Sequence, residues 1–121
     1  MGLLLSDGVE DGRHGQWLRG VLDLCVLAVL HGEREAYGYQ LAQALQQSGL
    51  GPIQGGTLYP VLLRLQRSGL VTSVWREGRS GPARRYYRLT TQGGETLQHA
   101  VTDWRVFADR VAAVLATGVS L

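Results

Sequence analysis

One boundary constrains this chain more than any other: after Ser68-Gly69 the apolar spacing changes period. Before it, Leu58, Val61, Leu62 and Leu65 recur at i, i+3, i+4 and i+7, the stripe of an amphipathic helix. After it, Leu70 to Glu77 is rich in β-formers (Val71, Thr72, Val74, Trp75), and Arg85 to Thr90 alternates around two tyrosines. Between these runs lies Gly78-Arg79-Ser80-Gly81-Pro82-Ala83, a turn-rich tip that carries a cation. Helix, strand, tip and strand predict a mainly α fold with a small β-hairpin, an α+β class, the hairpin closing on a longer loop.

Upstream of the boundary the periodicity predicts two more helices. Gln16 to Leu30 is apolar nearly all round, as suits a central helix, and His31-Gly32 is expected to end it. A charged connector, Glu33-Arg34-Glu35, leads to a second helix from about Tyr37 to Gln47, with Leu41, Ala42, Ala44 and Leu45 on its inner side. A glycine-rich turn follows, and the third helix runs from about Gly56 to Arg67. Pro60 lacks an N–H, which costs least in a first turn, so it is expected to pin that helix start close to Thr57. Beyond the hairpin, Thr90 or Thr91 can cap a last helix, with Gly93-Gly94 a weak spot in its first turn. Leu97, Val101, Trp104, Ala108, Val111 and Leu115 then repeat at alternating spacings of four and three, an a/d seam widened by Phe107 and Val114. The helices and hairpin before it already make a small core, so this seam is expected to bury itself against a second copy of the chain.

Charge is unevenly placed. All 12 cationic side chains are arginine, and seven of them fall between Ile53 and Thr90 against the single acid Glu77. The flanking segments are acidic, so a formal net charge of +2 hides a strongly basic middle third. That is the electrostatic footprint of a polyanion binder. The alternative is a protein-interaction module whose basic face docks an acidic partner without specific DNA binding. Arginines gathered on one helix and one hairpin tip favour DNA, because a protein interface usually centres on an aromatic or apolar anchor.

Enzyme classes find no support. His14, His31 and His99 are scattered, no Gly-x-Ser-x-Gly or phosphate-loop ending is present, and no metal-ligand or cofactor pattern emerges. Cys25 is a lone cysteine among Leu24, Val26 and Leu27, which makes it a buried, inert thiol. No apolar run reaches the roughly 18 residues needed to span a bilayer. The N-terminus has no signal-peptide pattern; Met1 to Ser6 matches only the loose myristoylation pattern. A cytoplasmic protein is expected. Its 121 residues, 45% of them hydrophobic, divide into a flexible arm (1–15), a DNA-binding domain (16–90) and a dimerisation helix (91–121).

Three helices followed by a basic-tipped hairpin is the order of a winged helix-turn-helix, whose third helix faces the major groove while the hairpin reaches flanking phosphates or the minor groove. The motifs point the same way. Leu18-Arg19-Gly20, Tyr37-Gly38-Tyr39-Gln40-Leu41, Gly56-Thr57-Leu58-Tyr59-Pro60 and Gly69-Leu70-Val71, with the wing Gly81-Pro82-Ala83-Arg84-Arg85-Tyr86-Tyr87-Arg88-Leu89-Thr90, resemble the PadR-type transcriptional regulators over about residues 17–115. The single C-terminal helix is similar to the short PadR subfamily. This resemblance implies a dimeric repressor on an inverted repeat in double-stranded DNA, often released by a small molecule. The all-arginine usage with many Gly and Ala points to a GC-rich bacterial genome.

Candidate DNA contacts follow from placement. Thr57 and Tyr59 open the third helix, where hydroxyls and free N–H groups bind phosphate oxygens, and Thr57 also reaches toward a base edge. Arg64, two turns on, suits a phosphate or a bidentate guanine contact. Tyr39 either orients the second helix against the backbone or packs beneath the helix pair. Little near the hairpin tip can be buried, so Arg79, Arg84 and Arg85 are expected to be free for phosphates or the minor groove. Trp104 sits midway along the dimerising helix. With Trp17 and Phe107 it either fills an ordinary interface or walls a slot for a flat aromatic ligand, as in some short PadR proteins that the chain resembles.

Overall fold

The computed structural model describes residues 10–118. A π-helical turn, Glu10–His14, leads into α1 (Gly15–Glu33), and the His14 ring Nε2–H donates to the Leu50 carbonyl at 2.9 Å. The end of the expected arm is therefore tied to the domain. Residues 1–9, with the rest of that arm and the Met1–Ser6 pattern, lie outside the described residues, as do 119–121.

Helix α1 outlasts His31-Gly32 by a residue and stops only at Arg34, which takes φ 72° while its N–H donates to the Leu30 carbonyl at 2.9 Å. Next comes a two-residue strand, β1 (Ala36–Tyr37), that was not expected: it follows the charged connector and takes in Tyr37, where the second helix was expected to begin. Two residues are too few to show a period of two. Helix α2 (Gly38–Leu45) starts as the Tyr37 N–H donates to Gln40 Oε1 at 3.1 Å. It runs into a π-wound turn, Gln46–Leu50, that breaks at Gly49, where φ is 95°, a backbone value that glycine adopts without steric cost.

Helix α3 (Gly55–Arg67) begins before Thr57. The Gln54 carbonyl accepts from the N–H groups of both Thr57 and Leu58, so Gln54 caps the helix and Pro60 falls in the second turn. Strands β2 (Val71–Arg76) and β3 (Arg84–Leu89) pair antiparallel, with Ser73 opposite Tyr87 and Trp75 opposite Arg85. Strand β3 lies at the centre of a three-stranded sheet of order β1-β3-β2. The core joins Leu22, Val26, Leu27 and Leu30 of α1 to the α2 pair Leu41 and Leu45, the α3 stripe, Val71 and Tyr87.

Helix α4 (Thr91–Gly118) is capped by Thr90. The Thr90 hydroxyl accepts from the Gly93 N–H at 2.9 Å and donates to the Gly69 carbonyl at 2.6 Å. Gly93 is not merely a weak spot: it is buried, and a Cβ there would collide with the Leu70 carbonyl oxygen, so this close approach of α4 to the hairpin requires glycine. The architecture is a winged helix-turn-helix followed by one long helix.

Candidate nucleic-acid interface

Helix α3 divides into four arcs when its residues are spaced at about 3.6 per turn. Leu58, Val61, Leu62 and Leu65 face the core. Opposite them, Gly56, Pro60, Leu63 and Arg67 are exposed. Thr57 and Arg64 flank this outward arc on the α1 side, where they share a shallow groove with Arg19. Tyr59 and Gln66 flank it on the side of the hairpin.

Each flank is tied to its neighbour. Arg64 Nη2 donates to Asp23 Oδ1 of α1 at 2.6 Å, and its Nε donates to Asp23 Oδ2 at 3.2 Å. The hydrogen bonds and the carboxylate charge hold the Arg64 guanidinium pKa above its already high usual value. Arg64, expected to be available to DNA, is thus engaged within the chain. The Tyr59 ring lies over Gly38 and Gly55, and a Cβ at Gly38 would strike its phenol, so a tyrosine here requires glycine at the start of α2. Tyr59 then lines, with Tyr37, Trp75, Arg84, Arg85 and Tyr87, an open groove between α3 and the hairpin. Tyr39 is exposed on the first turn of α2, not packed beneath the helix pair.

The hairpin arginines have different surroundings. Arg79 at the tip is exposed. Arg84 is exposed as well, with its guanidinium carbon 4.5 Å from the centroid of the Tyr37 ring. Arg85, expected to be free, is half-buried. Its Nε donates to Ser73 Oγ at 2.9 Å and its Nη2 to Gln66 Oε1 at 3.3 Å, while Ser73 Oγ donates to the same Gln66 oxygen at 2.9 Å. This network braces the hairpin against the end of α3. Arg76 is held by the Glu35 carboxylate and stacks 5.0 Å from the centroid of the Tyr86 ring. Burial pushes the Tyr87 phenol pKa up, partly offset by the Arg85 charge.

A family model described as the transcriptional regulator PadR-like family matches residues 26–99, which takes in α2, α3, the whole hairpin and the start of α4. This chain belongs to the PadR family. A PadR family transcriptional regulator of Eggerthella lenta has a similar structure, with a TM-score of 0.79 and 37% identity, covering 92% of this chain and 96% of that one. A PadR-like regulator of Bacillus cereus is similar at a TM-score of 0.71 and 34% identity, over 84% of this chain and 97% of the other. The transcriptional regulator Rv3488 of Mycobacterium tuberculosis is 41% identical over 73 residues, 59% of this chain and 66% of that protein. PadR proteins are DNA-binding transcriptional regulators, not enzymes. Among the described residues no helix is long and apolar enough to cross a membrane.

In this PadR-family chain the α4 seam splits in two. Leu97, expected at a dimer interface, is 7% exposed in the chain's own core, and Val101 packs partly against that core. Both face inward because α4 crosses α1 here, beside His31. Further along, Trp104, Val111 and Leu115 are exposed and Ala108 is half-buried. The Trp104 and Phe107 rings lie 6.1 Å apart at a tilt of 43°. Trp17 is exposed on the first turn of α1, and among the described residues it makes no ring contact with either.

Sequence reasoning missed Asp23 and Arg67. Asp23 carried a signal only as an acid within an apolar helix. Arg67 was legible: it falls on the outward arc once the wheel is drawn from the core positions of α3.

Proposed function

We propose that the protein is a cytoplasmic, homodimeric repressor that reads an inverted repeat in double-stranded DNA. Residues 16–90 occupy one half-site, and the helix within 91–121 pairs two copies. The observation that carries this reading is the stripe on α4 beyond Val101. Trp104, Phe107, Val111, Val114 and Leu115 are all exposed in the single chain, Val114 at 67% and Leu115 at 60%. So much apolar surface in one row marks an interaction site. A second copy covers it and sets two α3 helices at the spacing of successive major grooves, about 34–36 Å. The outward arc of α3, with Thr57 and Tyr59 beside it and Arg79 and Arg84 on the hairpin, then faces the duplex.

The exposed Trp104–Phe107 pair on that stripe also supports release by a planar aromatic compound bound between the two copies. Such a ligand acts by favouring a dimer whose reading helices are mis-spaced for the operator. Light scattering and gel shifts with the DNA upstream of the protein's own gene test the main reading. A dimer at micromolar concentration that shifts this DNA, and binds weakly once one half-site is scrambled, is the expected result. A monomer, or equal binding to any sequence, overturns it. Trp fluorescence titrated with planar aromatic compounds checks the release step, where a saturable quench absent from Trp104→Ala is expected.

A further inference from the structure

The outward arc of α3 offers almost no hydrogen-bonding side chain where a base reader would place one. Gly56, Pro60 and Leu63 fill it, and the guanidinium of Arg67 comes only in the last turn. On the flanks Arg64 is held by Asp23, which leaves Thr57 and Tyr59 as the polar side chains to either side of the arc.

Two features of this arc have no cause inside the chain. Leu63 is 47% exposed on a helix that already supplies four residues to the core from its opposite side. Gly56 is the second. A Cβ built on it meets no atom within 4 Å, and its φ is one that any residue adopts. Neither crowding nor backbone geometry requires glycine there. Gly38 and Gly93 differ, since a Cβ on either would collide with Tyr59 or Leu70. A glycine without an internal reason, beside an exposed leucine, fits a surface that approaches from outside.

In a major groove the apolar feature on offer is the thymine 5-methyl group, whereas the other base edges present donors and acceptors. We propose that Leu63 reads sequence by contact with thymine methyls, and that Gly56 lets the α3 backbone come close enough for that contact. This rests on the DNA-reading function above. Specificity then comes from apolar fit at the centre of the helix, and the arginines around it set affinity.

The test uses the full chain and duplex DNA selected by it from a random-sequence pool. Each thymine in the selected half-site is replaced in turn by deoxyuridine, which removes the methyl and keeps the base pairing. At one or two positions the unaltered protein is expected to lose about fourfold in affinity for each methyl contacted. Leu63→Ala is expected to bind the thymine and uracil duplexes equally while its thermal midpoint stays at that of the parent. Gly56→Ala is expected to melt at the same temperature or higher and to bind DNA more weakly. Indifference to uracil at every position, undiminished sensitivity in Leu63→Ala, or unweakened binding by Gly56→Ala each overturns the proposal. Salt-sensitive binding with no enriched sequence also overturns it, while leaving DNA binding itself intact. Failure to bind any duplex overturns the DNA-reading function as well.

Discussion

Arg64 of α3 grips Asp23 of α1 through two hydrogen bonds, so a carboxylate from the first helix sits beside the outward arc of the third. The contact ties two core helices together at the edge of the proposed DNA face. It also places a negative charge where phosphates would approach.

Removing that charge should therefore strengthen binding. Asp23→Asn frees the Arg64 guanidinium and is expected to raise affinity for all duplexes several-fold. Arg64→Ala in the Asp23→Asn background should abolish the gain. The Arg64 side chain is exposed at 56% and that of Asp23 partly so at 38%, so the thermal midpoint should move by a few degrees at most. Titrations by fluorescence anisotropy, beside melting curves, check this; unchanged affinity in Asp23→Asn would count against a DNA-facing position for the pair.

The hairpin arginines should separate into two kinds. Arg79→Ala with Arg84→Ala is expected to weaken binding to every sequence alike. It should also reduce the slope of log affinity against log salt by about 3–4 per dimer, close to 0.9 for each of four contacts. Arg85→Ala is different because it breaks the bonds to Ser73 and Gln66. It is expected to lower the melting temperature as well as the affinity, as the hairpin loses its brace against α3.

Along α4, position should decide whether a substitution unfolds the chain or only separates two copies. Val111→Glu with Leu115→Glu is expected to give folded monomers that lose operator binding. Leu97→Ala, in the chain's own core, should instead cost about 2–4 kcal/mol of stability. Sedimentation and denaturant titration distinguish the two outcomes.

Thr90 links the hairpin to α4 with one hydroxyl, bonded at once to the Gly69 carbonyl and the Gly93 N–H. Thr90→Ala is expected to cost about 0.5–2 kcal/mol, the range for a lost helix cap. Thr90→Ser should recover most of it, as measured by chemical denaturation.

The amino-acid sequence by itself determined the order of the helices and of the two hairpin strands, and the core face of α3. The stripe Leu58, Val61, Leu62 and Leu65 and the change of period after Gly69 are local patterns, and burial follows such periods directly. The family was legible for the same reason, since its motifs are short contiguous runs. Arg67 was readable from the helix wheel alone. What only the tertiary structure decided depends on partners distant along the chain. Arg64 meets Asp23 from 41 residues away, and Arg85 reaches Gln66 from 19. An arginine's own sequence neighbours do not reveal whether a carboxylate or an amide oxygen will lie within reach. Strand β1 escaped notice because two residues acquire strand geometry only by pairing with Tyr86 and Tyr87. The a/d seam looked continuous because its spacing is continuous. Where it changes from core to exposed surface is fixed by the point at which α4 passes beyond α1, a matter of helix packing that no period along one helix records.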